Sequence, residues 1–440
     1  MPRSRKSSIV VAAGMLSAAL LAGCSGTGAG TTASPAATEA TEQETVDITF
    51  SSWLKGSQQV VDAFNAAQDD VKVTFSEVAS SKDNYPQLTN QVQAGNAPDV
   101  ITVEYPRVAE MASQGVLKDI SNEAGDLVKD NFSESTQSLV TFGGSTWSVP
   151  LDAGVLQMYY RADLFEQYGI AVPKTWDEYK AAAEKVAAAD PNVRIGASAV
   201  GDPALYAALA WQNGAKWGAL DGDSWKVDID TEETKEALEV QQDLVDADLL
   251  WTEDAPVLQQ KQAAGQLLSV ISGSWYGAGL QSTFADQAGK WRVAPVPAPT
   301  GEPASALYGG STFGISDNST KAEAGVKFIE WMTTNPEGIK ARIAGGTSTV
   351  FPVNEEARKA ASEAFTPDFF GGQNIYDVAA EGLTAVPEGW VWGPGTATTL
   401  AKLTDESAKV KAGSEKLTDI LAPAQEATVS ELKNRGISVK

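Results

Sequence analysis

The sequence predicts an α/β chain whose body divides into two domains. Three observations carry this prediction. The body opens on a strand, a helix and a second strand; strands and helices keep alternating afterwards; and roughly 395 residues follow the leader and tether, too many for one hydrophobic core of ordinary size. Val46-Asp-Ile-Thr-Phe-Ser-Ser-Trp53 alternates apolar and polar residues and reads as the first strand. Val60 to Ala67 places Val60, Val61, Phe64 and Ala67 on one helical face. Val71 to Val78 is the second strand, so the unit can seed a parallel sheet. Tyr85 to Ala94 reads as a helix stopped by Gly95 and Pro98, Asp99 to Glu104 as a buried strand, and Pro106 to Gln114 as a short helix.

Further along, Gly154 to Tyr160 is strand-like. Thr175 and Glu178 form a capping-box pattern that opens a helix through Val186. Val193 to Ala199 reads as a strand, Pro203 to Gln212 and Thr231 to Ala247 as helices, and Leu268 to Ile271 as a strand. Trp291 to Pro297 is a strand blunted by prolines, and Ser311 to Ile315 another. Lys321 to Thr333 and Pro336 to Ile343 are helices, and Phe351 to Asn354 is extended. The remainder is expected to be helical except Asp377 to Gly395.

Ahead of this body lie Arg3, Arg5 and Lys6, an apolar run too short to span a bilayer, and Leu21-Ala22-Gly23-Cys24. That order marks an export leader over 1–23, with Cys24 as the lipidated residue. Residues 25–45, rich in Gly, Ser, Thr, Ala and Glu, read as a flexible tether. The mature body is therefore expected on the outer face of the cytoplasmic membrane, held by lipid alone.

Composition narrows the function. The formal net charge is −24, and losing the three leader cations deepens it to −27, a surface that repels nucleic acid. The chain has no His and only one Cys. That excludes Ser-His-Asp and Cys-His nucleophile systems, HExxH metal sites and internal disulfides. No cofactor or metal is expected. A carboxylate pair remains open, so an extracellular glycan hydrolase or lyase is one reading. An adhesion or structural lipoprotein is another, and a solute binder a third. Aromatics in Gly-, Ser- or Pro-rich segments favour a pocket surface: Trp53, Tyr105, Trp211, Trp275, Tyr276, Trp390 and Trp392. Trp147, Trp176 and Trp331 read as core or capping residues.

Several stretches together resemble the family 1 extracellular solute-binding proteins of ABC importers, which include maltodextrin-binding lipoproteins. They are Gln91-Val-Gln-Ala-Gly-Asn-Ala-Pro-Asp-Val100, Gly115-Val-Leu-Lys-Asp-Ile120, Val149-Pro150 with Leu156 to Phe165, Pro173-Lys-Thr-Trp-Asp-Glu178, Gly273-Ser-Trp275, Gly309 to Ile315 and Phe351-Pro-Val. The resemblance implies a periplasmic-binding-protein-like fold of type II, with two lobes joined by chain crossings and a ligand cleft between them. It places lobe 1 at 46–152 and 309–353, and lobe 2 at 153–308 and 354–440. It implies a monomeric, non-catalytic protein that hands a sugar or oligosaccharide to permease transmembrane subunits. A polyol, peptide or polyamine is the alternative ligand.

Sugars stack their C–H faces on aromatic rings and share their hydroxyls with carboxylates and cationic donors. On that chemistry the expected ligand-binding residues are Trp275, Asp152, Glu104, Trp53, Tyr105, Trp390, Trp211, Ser311, Gly310, Glu77 and Arg107. Lys55 is a further donor nearby. Trp275 leads because Gly273 and Gly277 are expected to let its loop turn tightly over a strand end. Trp390 and Trp392 alternate, so in an extended segment at most one of them is expected to face the cleft, with Trp390 preferred.

Overall fold

A computed structural model describes residues 44–346 and 348–440. Cys24, the leader and most of the tether lie outside the described residues. Along the chain, the elements that position the site are β1 (Val46–Ser52), α1 (Ser57–Ala67), β2 (Val71–Glu77), α2 (Ser81–Gln93), β3 (Val100–Glu104) and α3 (Tyr105–Ser113). Next come β4 (Val149–Pro150), β5 (Leu156–Arg161), α4 (Pro203–Gln212), β6 (Ser269–Gly273), α5 (Tyr276–Thr283) and β7 (Trp291–Pro295). The series ends with β8 (Ser311–Ile315), α6 (Pro336–Ile343), α7 (Thr396–Lys411) and α8 (Leu421–Asn434).

The first lobe is built on a five-stranded sheet in the order β2-β1-β3-β8-β4. β1 runs parallel to β2 and β3, with Phe50 opposite Phe75 on one side and Val100 on the other. β8 returns antiparallel between β3 and β4, with Phe313 opposite Thr102 and Val149. The apolar positions of β1 and α1 face each other: Phe50 packs on Phe313 and Phe328, and Phe64 on Phe328. Each such aromatic buries roughly 150–250 Å², which makes this cluster the main source of stability for the lobe.

The second lobe holds a three-stranded sheet, β6-β5-β7, antiparallel throughout. The lobes meet where the chain crosses between them. Asp152 bridges Pro352, and Val155 bridges Leu307. The Leu151 N–H donates to the Ser311 carbonyl and the Ala153 N–H to the Phe351 carbonyl, both at 2.9 Å. Three segments distant in sequence are thus tied at one place.

Two sequence expectations fail. The stretch Asp377 to Gly395, expected to be irregular, begins inside a helix, Ile375–Thr384, because the Asn374 side chain caps it at the Tyr376 N–H and Ile375, Tyr376 and Ala379 bury one face. The strand expected over Val193 to Ala199 shrinks to Gly196–Ala197, paired only with Leu250–Trp251. Thr175 caps its helix as expected, with the Glu178 N–H donating to Thr175 Oγ1 at 3.2 Å, but the Glu178 carboxylate accepts from the Lys174 N–H at 2.7 Å and not from the Thr175 N–H that a capping box uses.

Candidate functional site

A cavity of about 1080 Å³ opens between the lobes, lined by residues of both. The ends of β1 and β3 supply Trp53, Lys55 and Glu104, and α3 supplies Arg107. Asp152 and the run Leu307 to Ser311 line it from the chain crossings. Trp275 stands at the start of α5, with Ala278 and Gly279 behind it. Trp392 and one face of α7 (Ala397, Leu400, Ala401 and Thr404) close a largely apolar wall.

Trp275 is 43% exposed, which is rare for so large an apolar side chain. Its ring is nonetheless held in place: Nε1 donates to the Tyr308 carbonyl at 2.8 Å, and the Tyr308 ring lies 5.6 Å away. The Tyr308 hydroxyl in turn donates to Asp202 at the head of α4. The flanking glycines act differently from the expectation. Neither Gly273 nor Gly277 has a positive φ. A Cβ at Gly273 would sit 2.3 Å from Trp275 Nε1, so this glycine makes room for the indole and does not serve a tight turn.

The polar floor is buried at Asp152 and half-buried at Glu104. Asp152 accepts from the Ser311 N–H at 2.7 Å. Burial pushes its carboxyl up to about 7, against the pull of that hydrogen bond and of Arg342. Glu104 is raised by burial too, although Ser81, Tyr85 and Arg107 favour its charged form. The Tyr85 hydroxyl donates to Glu104 at 3.2 Å and accepts from the Glu104 N–H at 2.9 Å. Arg107 lies over the Tyr85 ring at 4.6 Å and pairs with Glu110 at 3.1 Å. The fit at the crossing is tight. Gly310 has φ +111, and a Cβ there would meet the Tyr105 ring at 2.7 Å and the Asp152 carbonyl at 2.9 Å.

The structure therefore brings Trp275, Asp152, Glu104, Trp53, Arg107, Gly310 and Ser311 together. Four expected residues lie elsewhere. Tyr105 is buried beneath Gly310 and lines no part of the cavity. Trp390 and Trp211 stack on each other at 5.0 Å and 7° inside the second lobe, where Trp211 Nε1 donates to the Pro387 carbonyl. Alternation does send one of the pair 390/392 to the cavity, but it is Trp392. Glu77 ends the edge strand β2, is exposed, and reaches the site only by pairing with Lys55 at 3.0 Å. Sequence reasoning missed Arg342, Tyr85, Tyr308 as a lining residue and the α7 wall. For Arg342 a signal existed: with Ile339 and Ile343 it occupies the buried face of α6, where a charged residue is out of pattern.

Two α/β lobes tied by three crossings around a deep cleft define a periplasmic-binding-protein-like binding protein. Residues 49–339 match the family described as bacterial extracellular solute-binding protein, and the chain belongs to that family. Such proteins work outside the cytoplasm. A lactose-binding protein of Rhizobium radiobacter is 25% identical over 301 residues, 66% of this chain and 69% of its own length. A maltooligosaccharide ABC transporter solute-binding lipoprotein of Streptococcus pneumoniae is 24% identical over 371 residues, 80% of this chain and 82% of its own. Among solved structures, the galacto-N-biose/lacto-N-biose I-binding protein of the ABC transporter from Bifidobacterium longum, in complex with lacto-N-biose, superposes with a TM-score of 0.80 at 27% identity, covering 90% of this chain and 99% of that one. A binding protein from B. animalis subsp. lactis, in complex with β-1,6-galactobiose, gives 0.78 at 26% identity over 90% and 100%.

Proposed function

We propose that this protein is the carbohydrate-binding component of an ABC import system, capturing a short neutral oligosaccharide in the interlobe cleft and delivering it to permease transmembrane subunits. The observation that carries this reading is the pairing of a held, half-exposed indole at Trp275 with a polar floor made of buried Asp152 and Arg342 and half-buried Glu104. An aromatic face takes the C–H side of a sugar ring, and the floor takes its hydroxyls. A cavity of about 1080 Å³ suits two or three sugar units better than one. The sugars bound in the two similar solved structures, lacto-N-biose and β-1,6-galactobiose, agree with that size.

In the same reading the ligand-binding set is Trp275, Trp53, Trp392, Asp152, Glu104, Arg107, Arg342, Gly310 and Ser311. The lobes divide at 152, 308 and 353 and close over the ligand by a hinge motion at those crossings. The protein acts as a monomer anchored through an acylated Cys24. A mass spectrum of the exported protein with an unmodified N-terminus would refute the anchor.

A melting-temperature screen against disaccharides, polyols, peptides and polyamines tests the ligand class. A ligand that binds only the folded state raises the melting temperature by mass action. The expected result is a shift with one or more neutral di- or trisaccharides and none with spermidine or tripeptides. A shift confined to spermidine or a peptide would overturn the carbohydrate reading.

A further inference from the structure

Arg342 is fully buried, yet among the described residues it forms no ion pair. Its Nη1 donates to Ser57 Oγ at 3.2 Å and, at 3.5 Å, to the Lys55 carbonyl; the hydrogen bond of Nη2 is to the Met332 sulfur at 3.8 Å, and the guanidinium lies 5.7 Å from the centre of the Phe313 ring, at the outer limit of a cation–π contact. Among the described residues its Nε has no hydrogen-bond partner. The backbone around it is packed too tightly for the side chain to be a loose end: a Cβ on Gly56 would lie 2.1 Å from the Arg342 carbonyl. A buried cation with one adequate hydrogen bond is costly unless something else completes its shell. Arg342 lines the cleft, so that something can come from the ligand.

Asp152 lines the same cleft, near enough for its charge to act on Arg342, and spends one oxygen on the Ser311 N–H. A carboxylate ligand brought to Arg342 would be placed against Asp152. A pair of adjacent hydroxyls meets both groups: the oxygens accept from the guanidinium fork while a hydroxyl hydrogen goes to the carboxylate. Resting on the carbohydrate reading above, we propose that Arg342 is the specificity-determining residue of this cleft, and that with Asp152 it selects a neutral sugar presenting an unsubstituted vicinal diol to the floor.

The test uses the intact exported protein, titrated by calorimetry with lacto-N-biose, β-1,6-galactobiose and lactose, then with monodeoxy versions of whichever binds. Arg342→Lys keeps the charge but loses the fork, and is expected to weaken binding roughly 30-fold or more, with Arg342→Gln weaker still. Circular dichroism confirms that each variant is folded. The deoxy series needs no variant: loss of either of two neighbouring hydroxyls is expected to cost about 10-fold or more, with smaller losses elsewhere. Folded Arg342 variants that bind within threefold of wild type would overturn the proposal. So would a deoxy series with no sensitive adjacent pair, or tighter binding of a galacturonate disaccharide than of its neutral counterpart. If none of the three sugars, nor any other neutral sugar in the melting screen, binds wild type, the carbohydrate reading itself falls.

Discussion

Trp275 and the Trp211–Trp390 pair are the same residue type in similar Gly- and Pro-rich surroundings, yet they meet opposite fates. Trp275 keeps 43% of its surface open and is held by a hydrogen bond to the Tyr308 carbonyl and by the neighbouring Tyr308 ring. Trp390 and Trp211 are 2% and 4% exposed, stacked face to face, with Trp217 and Trp392 packed on the flanks of Trp390. The first ring has an unoccupied face and a rigid mount, as a binding surface requires. The second pair has spent its faces on each other and can contribute only to the lobe that holds them.

The comparison predicts a division between stability and affinity. Trp390→Ala should have the largest effect, lowering stability by about 3–5 kcal/mol through loss of a buried ring and the cavity left behind. Denaturant titration reads this directly, and under conditions where the variant is folded its sugar affinity should stay within a few-fold of wild type. A strongly weakened affinity in the folded variant would place this pair in the site after all.

Asp152 should show the reverse trade. Its carboxyl holds a proton up to about 7 in the folded state, whereas an unfolded Asp releases its proton near 3.9. The folded state therefore binds the extra proton between these values, and this residue's contribution to stability falls as pH rises through that window. Asp152→Asn can still accept from the Ser311 N–H and removes the buried charge. It should be more stable than wild type at pH 8, by on the order of 4 kcal/mol for about three pKa units at about 1.4 kcal/mol each, with the gain shrinking toward pH 4. Melting curves across pH check the trend; equal stability of the two proteins at pH 8 would contradict it. Binding should weaken in this same variant, because a sugar hydroxyl loses an anionic acceptor.

Trp275→Ala should cost about 2 kcal/mol of binding, roughly 30-fold in affinity, with little change in melting temperature. Trp275→Phe should recover part of the loss. Glu77→Gln marks the small end: an exposed pair with Lys55 at the sheet edge contributes little, so stability should move by less than about 0.5 kcal/mol. Titration calorimetry should find sugar affinity nearly unchanged, and a tenfold loss would show that Lys55 needs its partner to hold the ligand.

The same contrast explains how far the sequence could be read. Strand alternation in Val46 to Ser52 and the helical face of Val60, Val61 and Phe64 are local signals, and the first-lobe sheet follows from them. Asp152 was legible because it sits at a chain crossing, and Trp275 because it follows a strand end. Whether a loop indole faces a cleft or a core depends on neighbours remote in sequence, and nothing near Trp390 announces Trp211 or Pro387. Glu77 was misjudged because strand order, which puts β2 at the edge, is a property of the whole sheet. Tyr105 was misjudged because Gly310, just ahead of a strand about two hundred residues later, covers it. Arg342 was overlooked because α6 reads as an ordinary amphipathic helix until its one buried charge is noticed.

A crystal structure of the protein grown with the tightest-binding neutral disaccharide tests the central claim most directly. The account predicts one sugar ring lying flat against the Trp275 indole, its hydroxyls within 3.2 Å of Arg342 and Asp152, and protein contacts from both lobes. A sugar bound on one lobe alone, with the Trp275 face and the floor untouched, would contradict it.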